Sequence, residues 1–237
     1  MTAIVAGAVI AAGEGSRLAA LGTAKPLVCV AGEPLVAHVL GNIAAAGIRG
    51  VAVIFNENEQ DCADFVRERF GELVSRVIVK TTASSLESFR EVLAAAPAGR
   101  VLVSTVDAYV PRHDFIAFAR AAERLPEEAT VLGVTTFVAD EMPLWVTIGP
   151  GRRITRIGGS TGDAVTAGLY LVPERVRSLA PPASLDRLRA FLAWLCAAGE
   201  PVYAVSIPKV VDVDRPDDVA LAEALAHETP KADRGAA

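Results

Sequence analysis

Three short stretches of the chain combine residue types and spacings that suit phosphate and metal chemistry. The first is Ala11-Ala12-Gly13-Glu14-Gly15-Ser16-Arg17-Leu18, followed by Thr23-Ala24-Lys25-Pro26-Leu27. Its glycines let backbone N–H groups turn toward an anion with no side chain in the way. Arg17 adds a guanidinium suited to bidentate phosphate contact, and Lys25 adds a compact point charge. The stretch lacks the third glycine of a dinucleotide fingerprint and the Gly-Lys-Ser/Thr ending of a P-loop. The glycines alone would fit any βα loop, but the two cations at this spacing favour phosphate binding. The second stretch is Val103-Ser104-Thr105-Val106-Asp107-Ala108. An Asp just past an apolar run offers a hard oxygen ligand to Mg²⁺, although the same Asp can cap a turn. The third is Val210-Val211-Asp212-Val213-Asp214-Arg215-Pro216-Asp217-Asp218. Here Asp214 suits a helix cap, and Asp217 and Asp218 suit the positive end of the helix dipole. Asp212 is left without such a role.

Other signals are local. Ser84 and Ser85 open a helix-period stretch and can read a base or ribose, but a Ser N-cap with Glu87 in the first turn explains them equally well. Gly158-Gly159-Ser160-Thr161-Gly162-Asp163 reads as a mobile loop over an acceptor. His38, His113 and His227 stand alone and form no triad or metal spacing. Trp145 and Trp194 lie in apolar runs and read as core. Cys29 reads as a buried inert thiol.

The elements that must carry these residues alternate. Val/Ile-rich runs at 3–11, 51–55, 76–80, 101–105, 130–136, 145–148, 154–157, 166–171 and 202–206 predict strands. Helix-period stretches at 34–47, 59–70, 85–96, 112–124, 184–198 and 216–227 lie between many of them. Pro34 fits the first turn of its helix and Gly47 its end. Near-continuous apolar strands separated by helices imply an α/β fold, a mostly parallel sheet covered on both faces. In such sheets ligands bind outside the carboxyl ends of the strands. Gly149-Pro150-Gly151-Arg152 reads as a hairpin turn, so 137–172 is an antiparallel element on the acceptor side. No linker divides 1–227, which reads as one domain, and 228–237 reads as a flexible tail.

Composition bounds the partners. Half of the 237 residues (52%) are apolar, which excludes a disordered chain. The chain holds 23 Lys+Arg against 28 Asp+Glu, a net charge of −5, so a nucleic-acid coat is not expected. A phosphate site needs only a few local cations. No run reaches the roughly 18 apolar residues of a membrane helix, and the apolar start lacks the basic flank of a signal peptide. Cys29, Cys62 and Cys196 show neither metal nor disulfide spacing, which fits a cytoplasmic protein.

The glycine-arginine loop, Lys25-Pro26-Leu27 and Gly32-Glu33-Pro34-Leu35 together resemble the opening of nucleotidyltransferases with a glycosyltransferase-A-like fold. These include sugar-1-phosphate pyrophosphorylases and cytidylyltransferases of phosphorylated alcohols such as inositol phosphate. The likeness extends over most of the chain and implies a three-layer α/β/α, Rossmann-like sheet. It implies that Ala11, Ala12, Gly13, Glu14, Gly15, Ser16, Arg17, Ser84 and Ser85 bind the nucleotide. Arg17 and Lys25 would be catalytic, and Lys25, Gly168 and Tyr170 would line the acceptor pocket. Asp107 and Asp212 would hold Mg²⁺, with Asp214 as the alternative to Asp212. The implied reaction joins an NTP, CTP or UTP by preference, to a phosphorylated small molecule and releases pyrophosphate. Ala24 departs from the family's usual Pro before the Lys, which costs stiffness and not charge. The 158–163 region lacks the Glu-Lys pair of many hexose-1-phosphate enzymes, which points toward phospho-alcohol acceptors. A glycosyltransferase using a nucleotide sugar, a molybdenum-cofactor type transferase and a non-catalytic nucleotide-binding protein of the same fold stay open.

Overall fold

A computed structural model of the chain describes residues 3–13, 17–18 and 22–228. The first half alternates as its apolar pattern requires. Strand β1 (Ile4–Ala11) leads to a small hairpin, β2 (Cys29–Val30) and β3 (Glu33–Pro34), and then to helix α1 (Leu35–Ala45). Next come β4 (Val51–Phe55), α2 (Gln60–Phe70), β5 (Val74–Val79), α3 (Ser85–Ala95) and β6 (Arg100–Thr105). A two-residue strand β7 (Ala108–Tyr109) precedes α4 (Arg112–Glu123) and β8 (Thr130–Thr135). The antiparallel portion is β9 (Trp145–Ile148), β10 (Ile154–Ile157) and β11 (Ala164–Val172). The chain then forms α5 (Glu174–Arg177), α6 (Leu188–Ala197), β12 (Val202–Ser206), β13 (Val211–Asp212) and α7 (Pro216–Glu228).

Among the described residues the central sheet has nine strands in the order β10-β9-β11-β6-β1-β4-β5, with β8 pairing β11 and β12. The run β5-β4-β1-β6 is parallel. Strand β11 enters antiparallel to β6, β8 and β9. The layering follows from the period-2 alternation of strand side chains. Val9 and Ala11 of β1 and Val51, Val53 and Phe55 of β4 face one core, which α1, α2, α4 and α7 cover. Ala6 and Ala8 of β1 and Ala52 and Ile54 of β4 face the other, covered by α3, α5 and α6. Both faces are therefore dry, and each fully buried aliphatic side chain contributes roughly 1.5–3 kcal/mol. This is the three-layer α/β/α arrangement expected from the sequence.

The predicted turn at Gly149–Arg152 joins β9 to β10 as an antiparallel hairpin. Gly151 takes φ +64 there, a conformation that costs glycine no Cβ clash. Some boundaries differ from the sequence reading. Pro34 stands just before α1, at φ −58 and ψ 146, and pairs with Cys29 in the small hairpin. The helix expected over 184–198 begins only at Leu188. The preceding residues are tied to α3 instead: Leu86 N–H donates to the Asp186 carbonyl, and Leu188 N–H to the Ser85 hydroxyl at 3.0 Å. Cys29 is exposed rather than buried, because β2 lies in an edge hairpin outside the main sheet. Helix α7 runs through Glu228, the first residue of the expected tail. The rest of that tail lies outside the described residues.

Candidate active site

The carboxyl ends of β1, β4, β5 and β6 open at one edge of the sheet, and the charged residues singled out by sequence meet there. Asp107 is placed by the end of β6. Val106 N–H donates to the Ile10 carbonyl at 3.0 Å, which ties the turn to β1. Immediately afterward β7 pairs with β13, setting Asp212 opposite Ala108. Val213 N–H donates to the Asp107 carbonyl at 3.0 Å. This two-residue ladder holds Asp107 and Asp212 side by side although 105 positions separate them.

Lys25 begins a short 3₁₀ turn, Lys25–Leu27, whose backbone is closed by Leu27 N–H to Ala24 O at 2.9 Å and Val28 N–H to Lys25 O at 3.1 Å. The side chain is buried, with only 8% of the residue exposed. Its ammonium donates to Asp107 Oδ2 at 2.6 Å and to Asp214 Oδ1. Burial alone would make this lysine easier to deprotonate. The two carboxylates outweigh burial and hold it above the ordinary lysine value. Arg17 donates to the other oxygen of Asp214 at 3.2 Å from an exposed position. Asp214 thus bridges the two cations of the first loop.

That bridge corrects the reading of Asp214 as a helix cap. The amides before α7 are instead satisfied from within its first turn by Asp218, whose Oδ2 accepts the N–H groups of Asp214 at 3.0 Å and Arg215 at 2.8 Å. Asp214 is left free to face Lys25 and Arg17.

The two expected metal carboxylates differ electrostatically. Burial would raise Asp107, but the Lys25 charge and the hydrogen bonds from Lys25 and Thr105 hold it below the usual carboxylate range. Asp212 is pushed well above that range, first by the negative charge of Asp107 and then by partial desolvation in the cleft, although the residue keeps contact with solvent. Its carboxylate has no hydrogen-bond or ion-pair partner among the described residues.

These residues border a cavity of about 450 Å³. Arg17, Asp107, Asp212 and Asp214 lie on its wall, as do the expected acceptor residues Gly168 and Tyr170. Gly168 is required by close approach. It takes φ +67, and a Cβ there would meet Thr105 Oγ1 at 2.5 Å and Ala108 Cβ at 2.6 Å. It marks the register shift between β11 and β8. Tyr170 is 6% exposed, and its hydroxyl has no hydrogen-bond partner among the described residues.

The remaining expected site residues are distributed unevenly. Ala11 ends β1, and Ala12 and Gly13 follow it; both alanines are buried and Gly13 is exposed. Glu14, Gly15 and Ser16 lie outside the described residues. Ser84 is the N-cap of α3: its Oγ accepts the Glu87 N–H at 3.1 Å, and Glu87 accepts the Ala83 N–H at 2.7 Å in return. Ser85 borders the cavity, but its hydroxyl is taken by Leu188 N–H. The 158–163 loop, expected over the acceptor, contributes no residue to the cavity wall. Arg156 holds it instead, donating to the carbonyls of Gly158 at 3.3 Å and Thr161 at 3.0 Å.

Several site residues escaped the sequence reading. Arg187 and Arg189, at the start of α6, reach the cavity together with Phe137, Asp140 and Met142. Glu59, past the end of β4, is close enough for the Lys25 charge to act on it. One of its oxygens is buried with no hydrogen-bond partner, and burial raises its pKa to about 7. The signal for Glu59 was positional, since it follows a parallel strand whose end opens on the site. The arginines had no comparable signal.

The fold recurs in known proteins. The inositol-1-phosphate CTP transferase of T. maritima superposes with a TM-score of 0.81 at 20% identity, covering 95% of this chain and 97% of that one. The UDP-glucose pyrophosphorylase of Acinetobacter baumanii gives 0.76 at 15% identity, covering 96% and 95%. A curated relative, CMP-5'-(3-aminopropyl)phosphonate synthase of Streptomyces rubellomurinus, is 28% identical over 214 residues. The match takes in 84% of this chain but only 32% of that protein, so the chain spans about a third of its relative's length. Residues 7–202 match the family described as MobA-like NTP transferase domain, and the chain belongs to that family.

Proposed function

We propose that the protein transfers a nucleotidyl group from CTP or UTP to a small acceptor bearing a phosphate or phosphonate, with Mg²⁺ as cofactor. The observation that carries this reading is the charge array Arg17–Asp214–Lys25–Asp107 beside the unpartnered Asp212, of which Arg17, Asp107, Asp212 and Asp214 line one cavity at the carboxyl ends of the strands and Lys25 is buried behind them. The names of the curated relative and of the T. maritima enzyme support a cytidine nucleotide.

The donor set fits Mg²⁺. This ion takes one or two carboxylates and completes its shell with phosphate oxygens and waters. Asp107 and Asp212 supply that pair, and no three-acid cage exists among the described residues. The mutual repulsion that raises Asp212 is what a divalent cation would relieve. Bound Mg²⁺ supplies charge neutralisation at the α-phosphate and the acceptor oxyanion.

The chain's own residues do the rest. An acceptor oxygen forms a bond to the α-phosphorus. The bond from that phosphorus to the α–β bridging oxygen breaks, and its electron pair leaves with pyrophosphate. The nucleophile is already an anion, so no side chain must remove a proton. Positioning and charge neutralisation then dominate catalysis. Arg17 and the backbone after β1 face the leaving phosphates. Lys25 stays charged through the cycle because two carboxylates hold its proton. It fixes the positions of Asp107 and Asp214 and offsets charge between the two substrates.

The test is pyrophosphate release from each NTP with Mg²⁺ and a panel of phosphorylated sugars, phosphorylated alcohols and 3-aminopropylphosphonate. Asp107→Ala and Arg17→Ala are each expected to lower the rate by about 100-fold or more. Wild-type rates in both variants would overturn the site.

A further inference from the structure

The charges on and directly behind the cavity wall fall into two groups. At the reaction end every cation has an acidic partner: Lys25 binds Asp107 and Asp214, and Arg17 binds Asp214. At the start of α6 the situation is reversed. The Arg187 guanidinium makes no hydrogen bond or ion pair among the described residues, and that of Arg189 only donates to the Met142 carbonyl at 2.7 Å. Both border the cavity, and so does the unpartnered hydroxyl of the buried Tyr170. The charges of Asp212, Asp107 and Arg189 all act on that hydroxyl, so it lies within electrostatic reach of both groups. Two guanidiniums without acids, beside a buried phenol without a partner, make a receptor for an anion that the protein itself does not supply.

Much of the rest of this end is apolar. Phe137, Met142, Pro143 and Leu144 form its wall. Three of the polar side chains on the wall, Thr135, Ser85 and Asp140, are already engaged with backbone. Thr135 donates to the Pro208 carbonyl at 3.2 Å and accepts Phe137 N–H at 3.1 Å. Ser85 accepts Leu188 N–H, and Asp140 accepts Met142 N–H at 2.9 Å. A sugar or inositol ring brings several hydroxyls, and each one buried without a partner costs about 1–3 kcal/mol. A hydrocarbon chain gains from the same wall.

We propose that the acceptor is a small phosphorus oxyanion, phosphate monoester or phosphonate, carrying a short hydrocarbon chain rather than a polyol. Arg187 and Arg189 bind the oxyanion and the Phe137–Leu144 wall takes the chain. This rests on the nucleotidyl-transfer reading above and specifies its acceptor class.

The experiment measures kcat/KM for pyrophosphate release with CTP and with UTP. The acceptors are propyl phosphate, propylphosphonate, 3-aminopropylphosphonate, inositol-1-phosphate and glucose-1-phosphate. At least one propyl compound is expected to exceed both polyol phosphates by tenfold or more. Equal or better use of a polyol phosphate overturns this inference and leaves nucleotidyl transfer standing. Pyrophosphate release with none of the five overturns both. Arg189→Gln is expected to raise the acceptor KM about tenfold with the CTP KM unchanged within twofold, and Arg189→Lys to recover part of the loss. Because Arg189 also holds the Met142 carbonyl, melting curves accompany the kinetics. An unchanged acceptor KM in a folded Arg189→Gln protein removes the arginine from the site.

Discussion

Single residues in this protein are tuned by what is buried beside them. Lys25 and Asp107 are both pushed toward neutrality by burial, yet each keeps the other charged. Asp212 stands next to the same pair without a cation of its own, and its proton affinity rises. Glu59 has the simplest environment. Burial lifts it from 4.5 to about 7, against the lowering effects of the Asn56 backbone and the Lys25 charge. An acid raised in the folded state keeps its proton more tightly there than in the unfolded chain. The folded state therefore loses stability as pH rises from 4.5 through about 7, and the loss is complete above that window. Glu59→Gln removes the proton-linked part. Between pH 4.5 and 8 the wild type should lose roughly 2 kcal/mol relative to Glu59→Gln in denaturant titrations. Parallel stability–pH curves for the two proteins would show that Glu59 titrates normally.

At the scale of elements, the site depends on short pairings rather than long ones. The β7–β13 ladder has two residues on each side, yet it sets the Asp107–Asp212 pair. Strand β11 presses on it through Gly168, whose missing side chain makes room for Thr105 and Ala108. Gly168→Ala would place a methyl where those atoms sit and force an alanine to φ +67. The expected cost is about 1–3 kcal/mol of stability. Activity should fall further than stability explains, since the displaced segment carries Asp107. Thermal melting and kcat on one preparation check both. A folded Gly168→Ala protein with wild-type kcat would mean that β11 does not brace the carboxylates. Helix starts were legible in sequence wherever the signal was local. Ser84 caps α3 as its spacing with Glu87 suggests. Asp214 did not cap α7, because its carboxylate is taken by Lys25 and Arg17, while its own amide and that of Arg215 donate to Asp218 in the first turn.

The whole molecule is acidic and is built around two dry cores. No helix among the described residues is long and apolar enough to cross a membrane. A ligand that binds only the folded state stabilises it by mass action, about 2.7 kcal/mol at a hundred times its Kd. For a chain of this size that amounts to a rise in Tm of about 5–11 °C with saturating CTP or UTP and Mg²⁺. Arg17→Ala should shrink the shift. An unchanged Tm with all four nucleoside triphosphates would argue against nucleotide binding.

Strand identity, strand burial and helix spacing are local properties of the chain, and they are what the residues alone determined. Runs such as Val51–Phe55 and Val101–Thr105 announced a sheet dry on both faces, and the position of Asp107 after one of them announced a site. Glycines and cations close together after β1 announced phosphate. Pairing across long sequence distances is different, because it depends on where two elements finally pack. Lys25 meets Asp214 across 189 positions, which turned a supposed helix cap into the bridge to Arg17. Cys29 looked like core by type, but its hairpin lies outside the main sheet. Arg187 and Arg189 drew no reading from the sequence beyond their place in a helix-period stretch. They become an anion site only because the packing of α6 against α3 brings them to the cavity while leaving them no acid to pair with.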